Sequence, residues 1–273
     1  MLMIIDAHAH IGRLKDSRFE KMSFEQILKN LLKEMKEGGV DQALILTSWE
    51  DDDETSIPLG KALQITNGKE HIKIVGSIDL PNYKKKDLEK LEESLLKKKI
   101  IAVKLYLGYQ HVYPYDKVCH PVYRLCQKYD VPVIFHTGDT LVYEGYAKVK
   151  YAHPLNIDEV AVDFPDLKII IAHLGNPWMM DCAEVLYKNK NVYGDVSGLV
   201  VGDHLNTSYG LLMKKKIQEL MLYSSPRKLL YGTDWPLSPM KSYIKFVKSL
   251  GISKQDLDYV FFKNAAELFK IKI

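Results

Sequence analysis

Eight short apolar runs recur along the chain at a regular spacing, and this spacing limits the possible folds more than any other feature of the sequence. Each run has four to seven residues, rich in Ile, Val and Leu, and a new run begins about every 32 residues. The runs occupy residues 2–5, 43–47, 72–78, 100–106, 131–136, 167–173, 191–196 and 228–234. Nearly continuous apolar runs of this length are typical of parallel strands that are buried on both faces.

Amphipathic stretches of helical period lie between the runs. The clearest covers 24–39, with Ser23 as its N-cap and Gly38 and Gly39 at its end. The others cover 84–98, 117–129, 178–189, 208–223 and 238–250. Because a strand and its crossover helix need about 30 residues, eight such units predict a (β/α)8 barrel. The alternative is an open doubly wound sheet, but the Gly-rich fingerprint usual in that fold does not follow the first run.

The domain organisation predicted from this pattern is simple. No linker, low-complexity block or shift in composition divides the chain, so we expect a single domain over residues 1–273. Residues 251–271 read as one terminal helix that covers the outside of the barrel. With 273 residues, 47% of them hydrophobic, the chain can bury a sizeable core.

Charge and cysteine content narrow the function classes. A net charge of +3 against 38 basic and 35 acidic residues gives no reason to expect nucleic-acid or membrane binding. No apolar stretch approaches the length of a membrane span, and the first residues lack the features of a signal peptide. Three cysteines without a CxxC pair indicate a reduced, cytoplasmic protein. The sequence leaves the oligomeric state open, a homodimer included.

Residues that can bind a metal ion lie at the ends of several predicted strands. They are His8, His10, His136, His173 and Asp234. Active sites of (β/α)8 barrels lie at the C-terminal ends of the strands, so these side chains should converge on one mouth. Alternation along a strand sends His8 and His10 to the same side. Imidazoles, a carboxylate and an open position are what a catalytic divalent ion such as zinc requires.

Several segments of the chain resemble the amidohydrolase superfamily. They read DAHAHIG, VPVIFHTGD, IIIAHLGNPW, NVYGDVSG and LLYGTDWP, and they occur in the expected order along the whole chain. They are most similar to the amidohydrolase-related branch, which includes the aminocarboxymuconate-semialdehyde decarboxylase-like enzymes. The resemblance implies a distorted TIM barrel that is a metal-dependent hydrolase or a non-oxidative decarboxylase. The metal ligands that it implies are His8, His10, His136 and Asp234, and the catalytic histidine is His173.

Lys104 lies in the fourth run, where binuclear relatives carry a carboxylated lysine that bridges two metal ions. A lysine inside an apolar strand is rare unless it is paired. Three roles are open: such a bridge, a structural lysine that snorkels or pairs with Asp79, and an ammonium that binds a substrate carboxylate. We expect a single zinc ion and a substrate-binding Lys104, with manganese or a second ion as alternatives.

Weaker candidates lie in the loops after the runs. The Tyr-rich segment 106–116, which includes His111, is a candidate pocket wall. The acidic segment 49–54 is expected to be a solvated loop, with an acidic rim of the pocket as the alternative. The loops after the fifth and sixth runs open on the predicted active face, and they hold Asp139, Glu144, Asn176 and Trp178. Asp195 and Ser197 end the seventh run, where a hydrogen bond to a metal ligand is expected.

The predicted mechanism is hydrolysis of a small carbonyl substrate. A zinc-type ion lowers the pKa of its water and polarises the carbonyl. Asp234 accepts a proton from that water and returns it to the leaving group, while His173 stabilises the oxyanion or orients the nucleophile. The alternative is decarboxylation of a small unsaturated or aromatic acid, in which the ion anchors a substrate oxygen and an acid protonates the carbon that loses carbon dioxide.

Two further function classes are disfavoured. A TatD-like phosphodiesterase would also begin with His-x-His, but that family carries a metal-ligating Glu after its fourth strand, where this chain has Lys104. A barrel that only binds ligands would have lost catalysis, and the intact set of five candidate residues argues against such a loss.

Overall fold

The computed structural model describes residues 3–15, 17–141 and 145–272, and within them eight parallel strands form a single barrel. The strands are β1 Ile5–Ala9, β2 Gln42–Leu46, β3 Ile72–Ser77, β4 Val103–Leu105, β5 Val133–Phe135, β6 Ile169–Ile171, β7 Val192–Asp195 and β8 Leu229–Leu230. Each strand pairs with the next one along the chain. The predicted (β/α)8 architecture is therefore confirmed.

A helix follows each strand on the outside of the barrel. The helices are α1 Phe24–Gly38, α2 Leu59–Thr66, α3 Lys85–Leu96, α4 His120–Tyr129, α5 Asn156–Asp163, α6 Met179–Lys188, α7 Ser208–Tyr223 and α8 Met240–Lys248. None of the helices in the described residues is both long and apolar enough to span a membrane.

Local sequence explains where α1 begins and ends. The Ser23 side chain accepts a hydrogen bond from the Gln26 backbone N–H, and the Gln26 side chain accepts one from the Ser23 backbone N–H. This reciprocal capping box satisfies backbone donors that the first turn leaves free. The helix ends where Gly39 adopts a left-handed conformation with φ 71°, which glycine reaches without a steric penalty.

The barrel closes irregularly between its last and first strands. Strand β8 has only two residues, and the chain then continues beside β1 through single hydrogen bonds. The Ala7 N–H donates to the Tyr231 carbonyl at 2.9 Å, and the Asp234 N–H donates to the His8 carbonyl at 2.8 Å. Asp234 is thereby held directly beside β1, although it lies beyond the end of β8.

Alternate residues along the strands fill the barrel interior with apolar side chains. The interior set is Ile5, Ala7, Leu44, Leu46, Val75, Ala102, Ile134, Ile170, Ala172 and Leu230. The intervening strand residues, among them Ile45 and Val133, pack instead against the surrounding helices.

The C-terminal segment is helical, as predicted, in three consecutive pieces. These are α9 Lys254–Asp258, a π-helical turn Tyr259–Lys263 and α10 Asn264–Leu268. Leu268 and Phe269 join the interior cluster, and the Asn264 side chain donates to the carbonyl of Leu229, the first residue of β8. The segment therefore covers the end of the barrel where the strands begin, rather than adding to the ring of helices outside.

Candidate metal centre and substrate pocket

The end where the strands finish brings together three of the four predicted metal ligands. His8, His10 and Asp234 place one ligand atom each within 4.8 Å of one another. His10 Nε2 lies 3.3 Å from Asp234 Oδ1, and His8 Nε2 lies 3.7 Å from the same oxygen. His8 lies within β1 rather than after it, because the strand continues through the polar residues that follow the apolar run.

A buried carboxylate on β7 orients His8. The Nδ1 atom of His8 donates to Asp195 Oδ2 at 2.8 Å, and both side chains are almost fully buried. This bond leaves the lone pair of His8 on Nε2, which faces Asp234. The sequence predicts a hydrogen bond between Asp195 and a metal ligand; Asp195 accepts one from His8, whose role as a ligand stays a prediction.

Burial and neighbouring charge set the protonation states of these groups. Burial lowers the pKa of His8 to about 3, with a further contribution from the Lys104 ammonium, so the imidazole is neutral near neutral pH. Burial alone would raise the pKa of Asp234, but the hydrogen bond from His10 and the nearby imidazoles hold it well below its usual range. Neutral imidazoles beside an ionised carboxylate are the forms that bind a metal ion.

The backbone around Asp234 is unusual, and a glycine makes room for it. Asp234 has φ 58°, in the left-handed region that costs energy for a residue with a side chain. Gly198 passes so close that a Cβ atom there would lie 2.8 Å from Asp234 Oδ2 and 3.1 Å from His173 Nδ1. Gly198 follows Asp195 and Ser197 in the segment DVSG, but no pattern in the sequence marks it as part of the site.

His173 lies beside this cluster and makes its own bonds. Its Nδ1 atom is 3.1 Å from the Ser197 carbonyl oxygen and 2.9 Å from Ser197 Oγ. A carbonyl oxygen only accepts, so Nδ1 carries a hydrogen and the lone pair of the neutral ring is on Nε2. Ser197 Oγ also donates to Asp195, which accepts from the His173 backbone N–H at 3.0 Å. Asp195 at the end of β7 and the nearby Ser197 therefore hold both His8 and His173 in place.

His136 follows β5 directly but does not join the three-residue group. Its Nε2 atom donates to the Asp139 carbonyl at 3.1 Å, and its ring centroid lies 5.1 Å from that of His173. The described residues contain a second compact group of potential ligand atoms, formed by His8, His173 and Asp195, and neither group includes His136. Burial holds the pKa of His136 well below its usual range, so the imidazole is neutral and can donate an electron pair to a metal ion. Its role as the fourth ligand stays a prediction.

Lys104 lies in the middle of β4 and is completely buried. No hydrogen-bond partner for its Nζ atom is found among the described residues, and the ammonium lies 5.4 Å from the centre of the Tyr106 ring. Burial lowers the pKa of Lys104 to about 8, although the negative charges of Asp195 and Asp234 act to raise it. The side chain does not snorkel to solvent, and Asp79, its other predicted structural partner, accepts hydrogen bonds from Asn82.

A cavity of about 620 Å³ opens above these groups and is lined by all five predicted residues at the strand ends as well as Lys104. Aromatic side chains form one wall: the Trp49 and Tyr106 rings are 4.8 Å apart, and Tyr109 lies 4.9 Å from His136. Part of the Tyr-rich segment therefore lines the pocket, as predicted. The stacked pair Tyr113 and Tyr115 is not among the residues that line it.

The loop residues that were weaker candidates differ in whether they line the pocket. The acidic segment 49–54 is not simply a solvated loop: Trp49 is half-buried and lines the pocket with Glu50 and Asp53, which agrees with the alternative of an acidic rim. Asp139 also lines the pocket, and burial raises its pKa. His111 is turned away, with its Nε2 bonded to the Tyr146 carbonyl at 2.7 Å. Glu144 lies outside the described residues.

Two observations fit a bound divalent ion at the cluster. The donor set of two imidazoles and one carboxylate has the composition of a catalytic site that keeps an open position. The buried Nε2 atom of His8 has no hydrogen-bond partner among the described residues, and an unpaired buried polar atom is costly unless something binds it. The residues present therefore fit the metal ion expected from the sequence.

Comparisons with known proteins agree with this fold. Residues 5–271 match the family model described as Amidohydrolase. The chain is 24% identical over 178 residues to a gamma-resorcylate decarboxylase from Polaromonas sp., an alignment that covers 55% of this chain and 54% of that protein. The alignment thus spans about half the length of this curated relative.

Solved structures resemble the chain over its whole length. An uncharacterised TIM-barrel protein from Bordetella bronchiseptica is 22% identical with a TM-score of 0.78, covering 98% of this chain and 99% of the other. A probable 2-pyrone-4,6-dicarboxylic acid hydrolase from Acinetobacter baumannii is 16% identical with a TM-score of 0.72, covering 99% of this chain and 100% of the other. At these identities the likeness shows the fold.

Proposed function

Because the chain belongs to the amidohydrolase family, we propose that it is a metal-dependent hydrolase of a small carbonyl substrate such as an ester, a lactone or an amide. The family resemblance predicted from the sequence is confirmed over nearly the whole chain. The observation that carries the proposal is the compact group of His8, His10 and Asp234 at the floor of an open cavity.

Membership of this family implies a divalent metal ion, and the ion we propose is a single zinc. His8, His10 and Asp234 would hold it, with His136 as a further ligand. Nitrogen-rich sites with one carboxylate suit zinc better than they suit magnesium or calcium. When bound there, zinc would supply a Lewis acid and a more acidic water.

The residues around the ion have separate tasks. Asp234, kept ionised by the surrounding imidazoles, takes the proton of the attacking water and passes it to the leaving group. His173, with Nδ1 anchored on Ser197, directs Nε2 at the reacting carbonyl oxygen or at the nucleophile. Lys104 binds an anionic group of the substrate, because its buried ammonium lacks a partner among the described residues.

Decarboxylation of a small unsaturated or aromatic acid is the second candidate. Two observations favour it: the aromatic wall formed by Trp49, Tyr106 and Tyr109, and the buried Lys104 ammonium that could hold a carboxylate. A partly similar relative is named as a decarboxylase. In this reaction the carbon that loses carbon dioxide must receive a proton, and the acid that we propose is His173, whose ring lies 5.1 Å from that of His136 beside the aromatic wall.

The test is product identification with the metal-reconstituted enzyme on a panel of esters, lactones, amides and aromatic carboxylates. We expect one hydrolysed class, with activity lost in Asp234→Asn and kept in His204→Asn, an exposed histidine outside the pocket. Release of carbon dioxide without hydrolysis would establish the second candidate instead. Metal-replete protein that turns over neither class would refute both.

Finer properties complete the proposal. We propose one domain over residues 1–273 and a cytoplasmic location, in keeping with the three buried free cysteines. We also propose that the protein acts as a homodimer on a small molecule.

A further inference from the structure

Helix α7 carries exposed apolar side chains on the face that points away from the barrel. Its inner face packs on the protein through Gly210, Met213, Ile217, Leu220 and Met221. On the outer face the exposed fraction is 90% for Leu222, 54% for Leu211, 47% for Leu212 and 48% for Tyr223. A surface helix normally presents polar residues outward, so this side of α7 is an exception.

The apolar surface continues onto the neighbouring helix α6. Tyr187, 65% exposed, packs edge-on against Tyr223 with the ring centroids 5.5 Å apart. The Tyr223 hydroxyl donates to Glu184 at 2.5 Å, which holds the ring in place. We call the group of Leu211, Leu212, Leu222, Tyr223 and Tyr187 the α7 patch. A rigid patch of this kind is typical of a protein interface.

The order of residues along the outer face is self-complementary. Leu212, Lys215, Glu219 and Leu222 follow the 3-4-3 spacing of a coiled-coil seam, and Lys215 and Glu219 are also exposed. If a second α7 runs antiparallel with its centre at residue 217, Leu212 meets Leu222 of the other copy and Lys215 meets Glu219 of the other copy. Both apolar residues find apolar partners, and both charges find opposite charges.

From this pattern we propose that α7 is the interface of a twofold-symmetric homodimer, in which the α7 patch and the Lys215–Glu219 pair of one copy pack antiparallel against those of the other. A twofold interface uses the same surface on both subunits, so the surface must be self-complementary. The pairs Leu212–Leu222 and Lys215–Glu219 share one centre at residue 217, as that condition requires. The proposal does not depend on the reaction that the barrel catalyses.

The first test compares three proteins by sedimentation equilibrium. The wild type should have about twice the 31.4 kDa mass of one chain. Leu222→Glu should raise the dissociation constant at least about tenfold, because each of two carboxylates would be buried against Leu212 of the other copy. Leu96→Glu is the matched control, since Leu96 is 63% exposed on α3, and it should stay dimeric. Circular dichroism and the melting temperature verify that each variant is folded.

The second test uses charge reversal in two separate variants. Lys215→Glu places like charges opposite each other twice in a homodimer, and so does Glu219→Lys; each variant alone should dissociate more readily than the wild type. In an equimolar mixture the two variants present only opposite charges, so a heterodimer should form. A contact elsewhere on the surface would not be restored by mixing.

The outcomes decide the proposal. Dissociation by Leu222→Glu together with recovery in the charge-reversed mixture supports it. A monomeric wild type at micromolar concentration would overturn it, and so would a dimer that Leu222→Glu leaves intact, because the patch would then be bound by something else or used for another purpose.

Discussion

The two ends of the barrel interior are built from the same strands but from opposite kinds of side chain. Where the strands begin, Ile5, Leu44 and Leu230 meet the apolar residues of the C-terminal helical segment. Where the strands finish, His8 and Lys104 are equally buried, yet each has a nitrogen atom without a hydrogen-bond partner among the described residues. Burial stabilises the fold at the first end and costs free energy at the second, which is the pattern expected of a functional site.

The largest effect expected at the polar end is on turnover. His173→Asn should lower kcat by about 10²–10⁴-fold with the metal content unchanged, because in the proposed mechanism the side chain acts on substrate rather than on the ion. Metal analysis and kinetics on the same preparation make the measurement, with His204→Asn as the control. Loss of metal in His173→Asn would make His173 a ligand, and a site with two ions would replace the single-ion site.

At the apolar end the expected effect is on stability alone. Leu268→Ala should lower the free energy of unfolding by about 2–5 kcal/mol, because Leu268 is 3% exposed and truncation leaves a cavity. Denaturant unfolding measures this change, and Leu96→Ala on the surface should cost much less. If Leu268→Ala changed the metal affinity of the folded protein, packing at the apolar end of the barrel would affect the metal site at the polar end, and the two ends would not be independent.

A smaller effect is expected from Asp195, which we propose holds the ligand His8 in place rather than binding the ion itself. Asp195→Asn should weaken metal binding by about 10–100-fold, because the carboxylate fixes the ring orientation of His8 and increases its basicity. Titration of the apoprotein with zinc gives the dissociation constant, and Asp166→Asn, at an exposed position between α5 and β6, serves as the control. A lower melting temperature with unchanged zinc affinity would mean that Asp195 only supports the fold.

The smallest effect concerns the charge of Lys104. Its pKa of about 8 means that the ammonium predominates below that pH and the neutral amine above it. Between about pH 7 and pH 9 the affinity for benzoate, as a carboxylate probe, should fall about tenfold, in proportion to the charged fraction. Calorimetry on the wild type, on Lys104→Met and on Lys85→Met, an exposed control outside the pocket, provides the comparison. Equal affinity at both pH values would exclude a carboxylate contact to this lysine.

The periodic part of the structure could be predicted closely from the sequence. Helix α7 has the predicted bounds 208–223, and α1 differs from its predicted range by one residue, because apolar periodicity and capping residues are local signals. Helices α2 and α5 have eight residues each and were not predicted. Two turns offer too few residues for a periodic pattern to stand out from its neighbours.

The sequence predicts which residues form the site better than it predicts how they are arranged. Strand ends identified His8, His10 and Asp234, because barrel topology alone makes those ends converge. The bond from His136 to the Asp139 carbonyl and the contact of Trp49 with Tyr106 depend on loop conformation, and no local signal encodes it. The left-handed conformation of Asp234 likewise needs contacts that span the whole chain.

Metal content per chain tests the central claim most directly, namely that His8, His10 and Asp234 hold the catalytic ion. Elemental analysis of zinc-reconstituted protein should give about one ion in the wild type and close to none in His8→Ala, His10→Ala and Asp234→Ala, since the few remaining ligands cannot retain it. His204→Asn should keep the ion. A wild type that retains no ion, or a His8→Ala variant as metal-rich as the wild type, would contradict the claim.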